Sequence, residues 1–191
     1  MPPSCEICVL AGGLSSRMGS DKAGMRIGGK TMLTHIRRAV EPLGLSFRVI
    51  RRDAVPRCGP LGGVLTALRK TRFEVILFLS CDMPFVSVRI LERILAKGVS
   101  GGGSGVFSQT GEQIGFPFLM RASFRAVVEQ RIQKGNYSIR GLAESLSGKI
   151  VQFGNAYQAE MLNINTLEDF EVAKTYWLRK TDIDQQTRRI G

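Results

Sequence analysis

The sequence predicts an α/β fold in three layers: a mostly parallel sheet covered by helices on both faces, with a small antiparallel insertion. Three observations carry that expectation. Ile7-Cys8-Val9-Leu10-Ala11 and Val75-Ile76-Leu77-Phe78-Leu79 are unbroken apolar runs, the pattern of strands buried on both faces. Segments of helical spacing alternate with the strands, which favours parallel pairing through helical crossovers. A length of 191 residues, 43% of them hydrophobic, suffices for one domain with a sizeable core.

In chain order, the first apolar run breaks into Gly12-Gly13, a glycine loop at a strand end. Met32, Leu33, Ile36, Ala39, Val40 and Leu43 then recur at helical spacing, and Gly44 stops that helix. A short strand over 47–50 leads through a polar turn to Gly59-Pro60-Leu61-Gly62-Gly63 and a helix over 64–70. After the second buried strand, Ser87 caps a helix with the stripe Leu91, Ile94 and Leu95, closed by Gly98. A glycine-rich surface loop spans 100–105. Strands over 105–107 and 113–119 flank a Gln109-Thr110-Gly111 turn, and Pro117 assigns the second of them to a sheet edge. Ser123 and Ser138 cap two further helices. Strands follow at 150–153 and 161–164, and Thr166 caps a last helix with Glu168 and Asp169 in its first turn. The single domain is expected over 1–178. Residues 179–191 are polar and basic with few apolar anchors, and read as a flexible tail.

The formal net charge of +11 favours anionic partners without choosing among them. Much of it lies on helix faces (Arg37, Arg38, Arg89, Arg93, Arg125), where solvation accounts for it. No basic and aromatic residues interleave as in a nucleic-acid surface, so nucleic acid is not an expected partner. Neither a signal-peptide run nor a membrane-length apolar run is present, and the expectation is a soluble, cytoplasmic protein with no membrane partner. Cys5 and Cys8 form a C-x-x-C, but on a strand positions three apart point to opposite faces, and no second pair exists to complete a zinc site. The single histidine, His35, lies on the helix with the apolar stripe and reads as structural.

Ligands of such sheets bind at the carboxyl ends of the strands, so the loops after Ala11 and Leu79 are where chemistry is expected. The first runs Leu10-Ala11-Gly12-Gly13-Leu14-Ser15-Ser16-Arg17-Met18-Gly19-Ser20-Asp21-Lys22. Its glycines let main-chain N–H groups approach phosphate oxygens, and Arg17 and Lys22 can neutralise a triphosphate and a leaving pyrophosphate. The second is Ser80-Cys81-Asp82-Met83-Pro84, where Asp82 offers a hard oxygen ligand for magnesium. A competing pattern, Gly24-Met25-Arg26-Ile27-Gly28-Gly29-Lys30-Thr31, formally satisfies the P-loop motif of NTPases. It lacks the buried strand that should lead into its first glycine, and Met25 and Ile27 put apolar bulk where phosphate would lie. Its plainer reading is a short apolar segment followed by a Gly28-Gly29 turn.

The run from Leu10 to Lys22 resembles the L-A-G-G-x-S-x-R-M-G-x-D-K signature of the molybdenum cofactor guanylyltransferases. Gly59-Pro60-Leu61-x-Gly63, Cys81-Asp82-Met83-Pro84 and Asn163-Ile164-Asn165-Thr166 followed by Asp169 extend the likeness over most of residues 5–173. The resemblance implies a Rossmann-like fold of the nucleotide-diphospho-sugar transferase type. It also implies transfer of GMP from GTP to molybdopterin with magnesium as cofactor, and contact with proteins of molybdenum-enzyme maturation. By it, Leu10, Ala11, Gly12 and Gly13 contact the nucleotide, Lys22 and Arg17 act on its phosphates, and Asp53 touches the nucleotide. Asp82 is the magnesium ligand, and Asn163 and Asn165 lie on the metal or acceptor side. Relatives place another strand, a loop with a nucleotide-touching Asn and a short helix before the strand leading to Asp53. Here Gly44 joins Phe47 almost directly, which leaves the choice between guanine and cytosine open. Another nucleotide or a sugar-phosphate acceptor is compatible with the first motif.

Overall fold

The computed structural model describes residues 4–12, 25–99 and 103–190. In chain order they form β1 (Cys5–Leu10), β2 (Arg26–Ile27), β3 (Lys30–Thr31), α1 (Met32–Val40), β4 (Ser46–Ile50), α2 (Gly59–Lys70), β5 (Val75–Ser80) and α3 (Val88–Val99). Then come β6 (Gly105–Thr110), β7 (Gln113–Arg121), α4 (Arg125–Gln133), α5 (Ile139–Ser145), β8 (Lys149–Gln152) and α6 (Leu167–Ile190). The main sheet has the order β4-β1-β5-β7-β6-β8. β1 pairs in parallel with β4 and β5, and β6 with β8; β7 alone runs against its neighbours, so the sheet is mostly parallel with one antiparallel insertion.

Alternate residues of the central strands feed two cores, which makes the three layers. Cys8, Leu10, Ile76 and Phe78 meet α2, α4 and α5 on one face. Ile7, Val9, Leu77 and Leu79 meet α1 and α3 on the other. Phe78, Phe118 and Phe107 stack in line across β5, β7 and β6, with centroids 4.9 and 5.1 Å apart. A smaller third core gathers Ile27, Met32, Phe85 and Ile164 under Ala173 of α6. Among the described residues no helix is long and apolar enough to cross a membrane.

Several local expectations are corrected. Pro117 does not mark an edge: β7 lies between β5 and β6. The β5 pairing stops at Phe118, and the β6 register jumps between Phe107 and Ser108, so the residue without an N–H falls at an irregularity of the ladder. Residues 161–164 form no strand; Ile164 N–H donates to the Asp82 carbonyl instead, at 2.9 Å. α2 begins at Gly59, with proline in its first turn, rather than at residue 64. The cap of α4 is Phe124 and not Ser123, whereas Ser138 Oγ accepts the Gly141 N–H as expected. Separately, α6 spans Leu167–Ile190 and so takes in most of the polar, basic segment 179–191.

The four cysteines are free thiols. Burial pushes Cys5 up to about 11 and Cys8 up to about 12, which keeps both thiols protonated at neutral pH.

One buried charge fastens the edge of the sheet. Glu6 of β1, its side chain 4% exposed, pairs with Arg48 of β4 and accepts from Thr71 after α2, while Arg48 also donates to Ala67 O at 3.2 Å. Arg48→Met would leave Glu6 charged and buried, and is expected to cost roughly 3 kcal/mol. Adding Glu6→Gln should recover much of that loss, as read from urea denaturation midpoints at unchanged slope; equal midpoints for single and double variants would show that the pair does not hold the edge.

Candidate active site

The carboxyl ends of three parallel strands are tied side by side. Ala11 N–H donates to Ile50 O at 2.8 Å, and Cys81 N–H donates to Leu10 O at 3.1 Å, so the loops after β4, β1 and β5 open together. There they form a cleft of about 830 Å³, lined by the paired strand ends Leu10 and Ser80, by Gly12 and Phe116, and by Arg52, Asp53, Arg57 and the start of α2. A nucleoside triphosphate is of the size such a cleft accepts.

Asp53 is the acidic group of that lining. Its carboxylate is wedged against three glycines: a Cβ on Gly12 would lie 3.1 Å from Asp53 Oδ1, one on Gly62 would lie 3.0 Å from Oδ2 and 2.7 Å from Val55 O, and one on Gly63 would lie 3.3 Å from Oδ1. Close approach requires glycine at position 62, and at 12 and 63 a side chain would force its neighbours to give. Asp53 Oδ1 is buried with no hydrogen-bond partner among the described residues, and burial raises its carboxyl above the usual range. A desolvated acceptor facing a ligand cleft is suited to a donor edge brought by the ligand, such as base N–H or ribose hydroxyl groups.

A second, smaller cavity of about 290 Å³ adjoins the first, and Phe116 lines both. Its lining mixes the polar Ser108, Thr110, Gln113, Arg140 and Asn163 with the apolar Ile114 and Met161. Thr110 Oγ1 is buried without a hydrogen-bond partner among the described residues. Arg140 donates to Glu112 O, which steadies its guanidinium beside the cavity. Two compartments sharing an aromatic wall suit a reaction that joins two substrates.

Asp82 sits on the turn after β5, with Oδ1 buried and its carbonyl accepting from Ile164. That bond brings the Asn163-Ile164-Asn165 segment alongside the turn. Ile164 is buried and the flanking asparagines are exposed, and Asn163 reaches the smaller cavity. The Asn165 and Thr166 N–H groups donate to Asp169 Oδ2 at 2.9 and 2.8 Å, while Asp169 N–H donates to Thr166 Oγ1 at 3.0 Å, a reciprocal cap that starts α6. Among the described residues no group of three His, Cys, Asp or Glu side chains could hold a metal ion. Magnesium needs fewer: one or two carboxylates with substrate phosphates and water complete its shell, and Asp82 fits that role.

The expected site residues therefore divide. Leu10, Gly12 and Asp53 line the larger cleft, while the Leu10 carbonyl and Ala11 amide hold the strand ends together. Asp82, Asn163 and Asn165 form a neighbouring group on the turn and segment that meet at Ile164. Gly13, Arg17 and Lys22 lie outside the described residues. Arg52, Arg57, Phe116, Thr110 and Arg140 are new; of these only Arg57 has a backbone signature, a φ of 59°, and no local sequence pattern announces it. The P-loop alternative is overturned over 25–31: Arg26–Ile27 and Lys30–Thr31 pair as a hairpin around Gly28 and Gly29, whose φ values are 56° and 76°, and Ile27 is fully buried. Such a turn has no phosphate cradle. His35 is structural, as its position on the helix indicates: Nε2–H donates to Ile27 O at 2.8 Å, the ring stands 4.7 Å from that of Trp177, and burial lowers its basicity.

A family model described as the MobA-like NTP transferase domain matches residues 7–52 and 45–150. The molybdenum cofactor guanylyltransferase of Shewanella putrefaciens is 28% identical over 187 residues, covering 88% of this chain and 95% of the relative. Among solved structures, molybdopterin-guanine dinucleotide biosynthesis protein A from Archaeoglobus fulgidus superposes with a TM-score of 0.75 at 21% identity, over 91% of this chain and 99% of that one. The 2-C-methyl-D-erythritol 4-phosphate cytidylyltransferase of Thermus thermophilus superposes at 0.67 and 16% identity, over 93% and 99%. At these identities the structures establish the three-layer fold with its mostly parallel sheet.

Asp53→Asn is expected to raise the melting temperature of the ligand-free protein at neutral pH. The folded carboxyl titrates above its unfolded value, so its contribution to stability is full below the unfolded pKa and is lost as the pH rises through the folded one. The gain from Asn should accordingly vanish as the pH falls below the ordinary carboxylate range, near pH 4 or lower. A variant that melts lower at neutral pH would mean the fold itself uses the carboxylate.

Proposed function

The chain belongs to the MobA-like NTP transferase family, a family of nucleotidyltransferases, and on that premise we propose that it is a molybdenum cofactor guanylyltransferase. It moves GMP from GTP to the terminal phosphate of molybdopterin and releases pyrophosphate. The observation that carries this reading is the pair of cavities joined at Phe116, one holding the glycine-bounded Asp53 and the other Asn163. The first is suited to the nucleotide and the second to the acceptor. Support for the guanylyl reaction comes from the name carried by the Shewanella relative.

The acceptor's terminal phosphate oxygen attacks the α-phosphorus of GTP in line, the new P–O bond forms, and the bond to the bridging oxygen of pyrophosphate breaks. No enzyme nucleophile is needed. The chain's part is positioning and charge. Asp53 takes the donor edge of the nucleoside, Gly12 lets it approach the end of β1, and Lys22 and Arg17 neutralise the phosphates and the leaving group. Arg140, Thr110 and Asn163 orient the acceptor. Asp82 would hold magnesium, with Asn163 and Asn165 beside it, and magnesium bound there neutralises charge on the reacting phosphates.

The test is a panel of GTP, CTP and ATP with molybdopterin, read by calorimetry and by pyrophosphate release. GTP should be preferred by about tenfold or more, and Lys22→Ala should fold normally yet lose on the order of 10²-fold in turnover. A preference for CTP, or transfer only onto a sugar phosphate, would overturn the guanylyl assignment and favour a reaction nearer that of the cytidylyltransferase whose fold it shares. Unchanged turnover in Lys22→Ala would remove that residue from the mechanism.

A further inference from the structure

β4 ends the main sheet, and its outer edge has no strand partner among the described residues. An open edge offers unpaired N–H and C=O groups, which proteins usually blunt with charge, proline or a bulge. None of these protects β4. Its sequence Ser-Phe-Arg-Val-Ile contains no proline, and its pairing with β1 runs in unbroken register. The one charged residue, Arg48, turns inward to Glu6 and Ala67 O, while Phe47 and Val49 remain half-buried.

The two stretches matched by the family model, 7–52 and 45–150, overlap across β4. Beside it a groove of about 460 Å³ runs between α1 and the start of β4, lined by Val40, Leu45 and Phe47 together with Arg37 and Arg38. The Arg37 guanidinium lies 5.5 Å from the centroid of the Phe47 ring. Neither Arg37 nor Arg38 has a carboxylate partner among the described residues, and Arg51 and Arg52 at the far end of the strand are likewise exposed without one. Glu41 is the one acidic side chain on the groove wall.

We propose that this edge docks an extended, acidic segment of a partner protein, which adds to the sheet beyond β4 and seats its carboxylates on Arg37 and Arg38. Main-chain hydrogen bonds supply the affinity, and the apolar groove with its two guanidinium groups selects alternating apolar and acidic side chains. A second copy of this chain is a poor occupant, because it would bring two arginine-rich edges together.

The experiment is amide hydrogen exchange on the full chain with a short peptide of alternating valine and glutamate, against a peptide of equal charge interrupted by prolines. The alternating peptide should slow exchange of the backbone amides in Ser46–Ile50, and Arg37→Glu with Arg38→Glu should weaken its binding by about tenfold or more. These side chains are exposed, so the variant retains the fold, which a melting curve checks. Equal binding of the proline-interrupted peptide would overturn the proposal, since charge alone would then suffice. So would protection confined to the nucleotide cleft, unchanged affinity in the charge-reversed variant, or protection of β4 that appears with rising protein concentration and no peptide, which would make the occupant another copy.

Discussion

Asp53 is pressed against Gly12, Gly62 and Gly63: a Cβ on Gly62 would overlap the Val55 carbonyl, and one on Gly12 or Gly63 would crowd the carboxylate. Much of the site follows from that constraint. It requires β1 to end in glycine, because Gly12 is where the backbone passes the carboxylate. It requires the first turns of α2 to contain a glycine pair, which intrinsic propensity alone would disfavour by about 1 kcal/mol each relative to alanine. The same approach brings the start of α2 to the mouth of the cleft. Asp53 Oδ1 is a buried acceptor with no donor among the described residues, a costly arrangement that a donor brought into the adjoining cleft would relieve.

The wedge depends in turn on the sheet edge. Asp53 follows β4, an edge strand whose outer side has no strand neighbour among the described residues. The strand is placed by pairing with β1 alone and by the Glu6–Arg48 contact, which ties it through Thr71 and Ala67 to the end of α2. The end of α2 is thus fastened to the edge strand through Arg48, and its start is fastened to the same strand's following loop through Asp53. Helix and strand fix each other at both ends, which lets a short edge strand present a cleft wall.

The layers were legible from β1 and β5, whose apolar runs are continuous because both faces of each are covered. The loops were singled out by Gly12 and Asp82 at the ends of those runs, Asp82 drawing its weight from the glycine loop beside it, since an Asp after a strand is as often a turn residue or cap. What escaped the sequence were features set by distant neighbours. Pro117 reads as an edge residue in isolation, and only the register jump between β6 and β7 makes it tolerable inside the sheet. Residues 161–164 have the composition of a strand, yet Ile164 spends its amide on Asp82. Phe116, Thr110 and Arg140 come from β6, β7 and α5, and no spacing along the chain announces that they share a cavity. The motif at 24–31 failed for the opposite reason. The pattern alone ignores Met25 and Ile27, whose apolar bulk already argued against it in sequence, and the fold buries Ile27.

α6 belongs to the site as well as to the core. Its capping box at Thr166 and Asp169 fixes the segment that bonds the Asp82 turn, and Trp177, farther along, covers the hairpin at Gly28, where a Cβ would lie 2.0 Å from the indole nitrogen. The hairpin also receives His35, which holds Ile27 from the other side. One helix therefore braces both the Asp82 turn and the hairpin that follows residues 13–24 in the chain. The Asp82 turn is one of the two stretches to which the sequence assigns chemistry, and the hairpin lies next in the chain to the other. In the proposed transfer, which depends on positioning, misplacement by even an ångström is expensive in rate, so packing both against one helix limits the play between the Asp82 turn and the hairpin.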